Sequence, residues 1–361
     1  MSDLHLGSRG GTDLLRRPEL RAALLEALEG IERLVLLGDA LELRQGPARD
    51  SIAAARAFFA DVGRVLGREG EIAIVPGNHD HALVAPWLER RRRDVTPPPL
   101  GLAERASWEA GDAIAALAEA AAPARLTLHY PGIWLRDDVY ALHGHYLDRH
   151  TTVPTFERVS AGVMGRIVGA LPGADAGPDD YEAALAPIYA WSYALAQHAD
   201  ERAEGTQGVS LRVWRTLAGD GHRPLRRRAL AALFPLVILG VNRAGLGPVR
   251  AEVSGAALGR AGPRAMSEAL DHLGVEAAHV VFGHTHRAGP RPSDDPADWT
   301  TAAGARLVNT GCWVYERHFL STTPYESPYW PGCAVRIDAD GPPVALRLLG
   351  ERGHAELGEK S

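Results

Sequence analysis

Cysteine is scarce in this chain: only Cys312 and Cys333 occur in 361 residues, without CxxC spacing. Two thiols cannot build a disulfide framework, so they are read as ordinary buried thiols of a reducing compartment, with a single bridge left open. A cationic excess is also missing. Lys plus Arg number 39 against 45 Asp plus Glu, a formal charge of -6, which argues against nucleic acid as the main partner while leaving room for a local basic patch. No apolar run reaches the length of a membrane span, and the start carries no basic, apolar, small-residue succession. The expected location is therefore cytoplasmic.

What is present is alternation of helix and strand patterns. Apolar residues recur at helical spacing over 14–29, and "RLVLL" (33–37) then reads as a buried strand stopped by Gly38. The pattern repeats in "SIAAARAFFADVGRVLG" (51–67) and "EIAIV" (71–75). Such alternation predicts a largely parallel sheet covered by helices, an α/β fold. "DVYAL" (138–142) and "AHVVF" (278–282) read as further strands, and 105–123 as a helix. "RLVNTGCWV" (306–314) and the pair within 333–349 read as strands and a hairpin of a second sheet. The expected architecture is a two-sheet β-sandwich flanked by helices. Residues 1–150 and 275–349 would form the core, 151–274 a helical insertion acting as lid or cap, and 350–361 a flexible tail.

Four of these strands end in groups that bind metals. Asp39 and Glu42 follow the first, Asn78 and His79 the second, His143 the third, and His284 and His286 the fourth; Asp3 and His5 form a D-x-H at the start. Sites in α/β sheets form at the carboxyl ends of strands, so the segments are expected to converge. Two carboxylates (Asp3, Asp39), one amide (Asn78) and four imidazoles (His5, His143, His284, His286) suit Mn, Fe or Zn. With one carboxylate shared, seven groups make two sites of four. Two divalent or trivalent ions so held can bind a phosphoryl group, polarise it and generate hydroxide for in-line attack. Gly38, Gly77, Gly144 and Gly283 beside the ligands allow close backbone approach. Arg9, Arg149 and Arg287 adjoin the motifs and, together with Asn78, are candidates for contacting substrate. His145, His150, Asp80 and His81 are read as supporting or surface groups, the last two as helix-start and loop residues.

In this order, "DLH", "GDALE", "GNHD", "LHGH" and "GHTH" resemble the calcineurin-like metallophosphoesterases, over about 1–150 plus 275–349. The resemblance implies that Asp3, His5 and His286 hold one metal, Asn78, His143 and His284 the other, and that Asp39 bridges them. It gives His79 a catalytic role, stabilising the transition state or protonating the leaving oxygen, and makes Glu42 its orienting partner where the family often has Asp. It implies hydrolysis of a phosphomonoester, phosphodiester or pyrophosphate. Within the family, the chain has some similarity to the UDP-diacylglucosamine hydrolases, which would make the substrate a phosphorylated small molecule or a lipid-nucleotide; HGH here stands where those usually have HGD. A nuclease of the same family and a non-catalytic scaffold on the same fold are the alternatives, the scaffold disfavoured by the full ligand set.

Two further expectations concern the ends of the pattern. In the family a buried strand precedes the first D-x-H, whereas only Met1 and Ser2 precede Asp3, so a core strand is expected to be missing, the native start to lie upstream, and Asp3 to be poorly anchored. "RRRALAALFPLVILGV" (226–241) is read as a core helix of the insertion interrupted by Pro235, with peripheral contact to anionic lipid as the alternative. "RRRRD" (90–94) is read as the solvated end of a helix rather than a polyanion clamp.

Overall fold

The structure, a computed structural model, describes residues 1–151, 176–197, 243, 255–317, 320–323 and 326–358. Its strands are β1 (Arg33–Leu37), β2 (Glu71–Val75), β3 (Ala103–Ala106), β4 (Arg125–Arg136), β5 (Val139–Leu142), β6 (His279–Phe282), β7 (Arg306–Asn309), β8 (Cys333–Arg336) and β9 (Val344–Arg347). The described helices are α1 (Pro18–Ala27), α2 (Ala48–Leu66), α3 (Ala85–Arg92), α4 (Ala113–Ala120), α5 (Pro178–Gln197), α6 (Gly255–Leu273) and the short α7 (His354–Leu357). The fold is mixed α/β: a curled seven-stranded sheet in the order β1-β2-β4-β5-β6-β7, with β3 on β4, and a separate β8-β9 hairpin. β1, β2 and the first half of β4 run parallel, as do β5, β6 and β7. The second half of β4 turns antiparallel to β5, so this one long strand joins the two halves.

Alternation along each strand decides which layer its side chains enter. Leu34 and Leu36 of β1 and Ile72 and Ile74 of β2 face a core shared with Leu24, Phe58, Phe59, Val62 and Leu117 of α1, α2 and α4. Tyr140, Leu142, Val280 and Phe282 face a second core shared with Tyr181, Leu185, Met266 and Leu270 of α5 and α6. The intervening residues Leu37, Ala73, Val75, Ile133, Val139, Ala141 and Val281 pack together from both halves. Full burial of side chains such as Phe58 and Phe59 stabilises each by about 2 kcal/mol relative to exposure.

Several expectations change. The two expected sheets are two halves of one path through β4, and β7 belongs to that path beside β6 rather than to a second sheet with the hairpin. β3 and β4 were hidden in the sequence: Ala and Glu over 103–106 favour helix, but pairing with β4 overrides propensity there, and the helix begins only after Asp112. In β4 burial does not alternate, and Pro131 and Gly132, residues that ordinarily end a strand, fall inside it. In the expected tail, α7 is pinned: Leu357 is buried, Arg17 donates to the carbonyls of Glu356 and Leu357, and His354 bonds Tyr315 and the Ser321 carbonyl.

At the amino end, the described residues 1–6 contain only a one-residue bridge, Leu6 to Leu41. Asp3 is nonetheless held from two sides, its N–H donating to Gly38 O (3.0 Å) and its carbonyl accepting from Trp313 N (3.0 Å). The expectation of a poorly anchored Asp3 therefore fails, because the loops after β1 and β7 supply the hydrogen bonds a neighbouring strand would have made. Within 151–274 the described elements, α5 and α6, are helical, while 226–241 lies outside the described residues. Among the described residues no helix is long and apolar enough to cross a membrane.

Candidate metal centre

The carboxyl ends of β1, β2, β5 and β6 deliver Asp39, Asn78 with His79, His143, and His284 to one place, and the segment before Leu6 runs along the end of β1 to add Asp3 and His5. Asp3, His5 and His286 offer ligand atoms within 4.8 Å of one another, and so do Asp39, His143 and His284. Asp3 Oδ1 lies 3.3 Å from His286 Nε2, which lies 3.3 Å from His5 Nε2. Asn78 Oδ1 lies 3.2 Å from His143 Nε2 and 3.1 Å from His284 Nδ1. Asp39 Oδ2 stands between the groups, 3.8 Å from His5 Nε2 and 3.4 Å from His143 Nε2.

The backbone around these side chains is unusual. Among the described residues, the non-glycine residues with positive φ are Asp3 (55°), His5 (48°), Asp39 (51°), His284 (67°) and His286 (57°). Each such conformation costs on the order of 1–3 kcal/mol and persists only where its surroundings enforce it. Gly38 (φ 83°) shows the crowding: a Cβ there would lie 2.1 Å from His143 Nδ1. A Cβ on Gly283 would meet Asp3 Oδ2 at 2.6 Å.

Hydrogen bonds behind the ligands fix which nitrogen faces inward. His143 Nδ1 faces Leu37 O at 2.9 Å, a carbonyl that can only accept, so Nδ1 carries the proton and Nε2 turns to Asn78 and Asp39. His284 Nε2 is held by Asp148 Oδ1 at 3.0 Å, which frees Nδ1. His5 Nδ1 is held by Glu42 Oε2 at 3.1 Å, which frees Nε2. Imidazole lone pairs thus converge on a carboxylate, an arrangement that only a cation or added protons can satisfy. An inverted Asn78 amide would relieve His143 and His284 at that contact but leave Asp39 facing His143. Asp3 Oδ1 is buried, and its 3.3 Å contact with His286 Nε2 lacks good hydrogen-bond geometry. This N/O donor set fits first-row ions such as Mn, Fe or Zn.

The electrostatics agree. Burial opposes charge on His143, but Asp39 outweighs it and pushes the imidazole up to about 9. For His286, burial is likewise overcome, by Asp3 and the Cys312 sulfur, which raise it well above its usual value. His5 is raised by Glu42 and Asp39 against the same burial cost. Asp39 is held well below the carboxylate range because His143, His79 and His5 outweigh its desolvation.

Glu42 makes the expected contact with His79, Nδ1 lying 3.0 and 2.8 Å from its two oxygens, and also holds His5. The longer Glu arm therefore reaches both rings. His79 is 25% exposed against 0% for His143, which leaves its free edge open to a bound molecule. Of the three arginines, Arg9 is solvent-exposed at the rim, its N–H donating to Gln45, whose amide in turn donates to Glu42. Arg149 is buried, and Arg287 pairs with Asp294 at 2.6 Å over the Trp299 ring. Arg90 and Arg91, expected to be solvated, are instead partly buried and paired with Asp112 and Glu104.

Two carboxylates matter more than their sequence context suggested. Asp80, read as a helix-start group, does stand at the start of the 3-10 turn His81–Leu83, but its side chain makes no cap bond there; buried, it accepts from the N–H groups of Asp39, Ala40, Leu41 and Gly77, and so binds the loops after β1 and β2 to each other. Asp148 was not singled out, and its only signal was position: a carboxylate five residues after His143, in the 3-10 turn His145–Arg149. His81, read as a loop group, is buried against Glu182 of α5 at 3.0 Å. His145 is also buried, held well below its usual value by desolvation and by His143 and His284.

Neither family models nor curated proteins give a match to this chain, so the meaning of the site rests on its own geometry.

Proposed function

We propose that this cluster is a two-metal centre of the calcineurin-like metallophosphoesterase type, and that the chain hydrolyses a phosphomonoester, phosphodiester or pyrophosphate. The observation that carries the reading is that Asp39 Oδ2 faces imidazoles of both groups, His5 at 3.8 Å and His143 at 3.4 Å. Asp3, His5 and His286 would hold one ion, Asn78, His143 and His284 the other, and Asp39 both. Bound ions would supply Lewis acidity toward phosphoryl oxygens and would acidify water. The protein's own part is positional. Left-handed backbone at five ligands fixes the donor set before any ion arrives, and Asp80 holds the loops after β1 and β2 together.

His79 is assigned to the leaving group. With Nδ1 on Glu42, its other nitrogen can give a proton to the departing oxygen or stabilise charge gathering there. Arg9, which is solvent-exposed and whose main-chain N–H donates to Gln45, is a candidate to meet a substrate phosphate. The substrate is proposed to be a phosphorylated small molecule or lipid-nucleotide.

The test is hydrolysis by purified, Mn-loaded protein of aryl phosphates, bis-aryl phosphates and a panel including nucleotide diphosphate lipids and cyclic nucleotides. Turnover on one bond type, abolished by chelation and restored by Mn, is the expected result. A protein that binds no metal and turns over none of these would end the proposal.

A further inference from the structure

A second group of metal-binding side chains lies outside the Asp39 centre. His150, at the end of the His145–Arg149 turn, meets Glu268 and His272 of α6, and the ligand atoms of all three lie within 4.8 Å of one another. His150 Nδ1 is 3.2 Å from Glu268 Oε1, and the rings of His150 and His272 are 5.0 Å apart at 41°. Glu268 and His272 are four residues apart on one helix, a spacing that puts both side chains on one face. Behind His150, Nε2 is 2.6 Å from the Tyr181 hydroxyl. Tyr181 is fully buried and stacked on Tyr146, with centroids 4.6 Å apart.

We propose that His150, Glu268 and His272 form a separate site for one divalent transition-metal cation, of the zinc type. Two imidazoles and a carboxylate are a donor set such ions favour, with a remaining position for water. The Tyr181 contact to the nitrogen not used as ligand is the kind of support that holds metal-bound imidazoles in one orientation. At 58% exposure Glu268 opens the site to ions from solvent, while His150, at 11%, anchors it. Occupied, the site ties α6 to the turn whose Asp148 holds His284.

The test counts ions. Full-length chain freed of metal by chelator is titrated with Zn2+ alone, and bound zinc per chain is measured after desalting for wild type, His272→Ala and Glu268→Gln. The expected result is one equivalent fewer in His272→Ala, and loss of the same equivalent in Glu268→Gln at zinc levels where wild type keeps it. Equal stoichiometry in wild type and folded His272→Ala would overturn the site and leave only a Tyr181–His150–Glu268 hydrogen-bond chain. If His272→Ala does not fold by circular dichroism, Glu268→Gln, altered at an exposed position, decides alone. The Asp39 centre is judged separately: a count falling from three to two supports both sites, two unchanged removes only this one, and one falling to zero removes the Asp39 centre instead.

Discussion

The two triads that share Asp39 are built differently. Asp3, His5 and His286 all have left-handed backbone, and His286 is 27% exposed. In the other group only His284 is left-handed; His143 is fully buried and Asn78 is 3% exposed. The deeper group also has the firmer support, a main-chain carbonyl behind His143 and Asp148 behind His284. The outer group relies on Glu42, which is shared with His79. The comparison teaches that one group is set by left-handed backbone at all three residues and the other by hydrogen bonds behind its imidazoles, so if both positions bind ions, as proposed, the Asn78–His143–His284 position is expected to hold its ion more tightly.

The largest effect should come from removing what the triads share. Asp39→Asn is expected to abolish turnover and empty both positions, read by metal analysis and by activity; retention of two ions would break the symmetry assigned to Asp39. Next, His79→Ala should lower kcat by about 10²–10⁴-fold while metal content stays at the wild-type value. Loss of metal in that variant would move His79 into the ligand set, as its proximity to His5 and Asp39 allows.

Smaller and more selective is Asp148→Asn. It should weaken the deeper position by about 10–100-fold, leaving the outer one unchanged in a competition titration, and equal weakening of both would erase the proposed difference. The mildest effect is on pH. Since His143 is raised to about 9 and His5 and His286 are also raised, ions must displace protons from them. Apparent metal affinity should therefore climb as pH rises from 6 to 9. An affinity flat over that range, measured by chelator competition, would mean that the imidazoles are already neutral in the metal-free protein.

Much of the candidate site was legible because Asp39, Asn78 and His284 each follow a short apolar run closed by Gly or Pro-Gly, and His143 follows such a run directly. The supporting residues were not legible. Asp80 and Asp148 look like ordinary loop carboxylates, and their role exists only because loops distant in sequence meet at them. β4 was missed for a related reason: Pro131 and Gly132 signal a strand end in isolation, yet here they fall where the strand passes from one half of the sheet to the other.

By itself the sequence determined the donor types and the strands that carry them, since hydrophobic periodicity and residue chemistry are local properties. Tertiary structure alone decided which nitrogen of each imidazole faces inward, that Asp39 reaches both triads, and that Asp3 is anchored between the loops after β1 and β7. Those depend on hydrogen bonds between segments up to about three hundred residues apart, such as the contact of Asp3 with Trp313, and spacing along the chain carries no record of them.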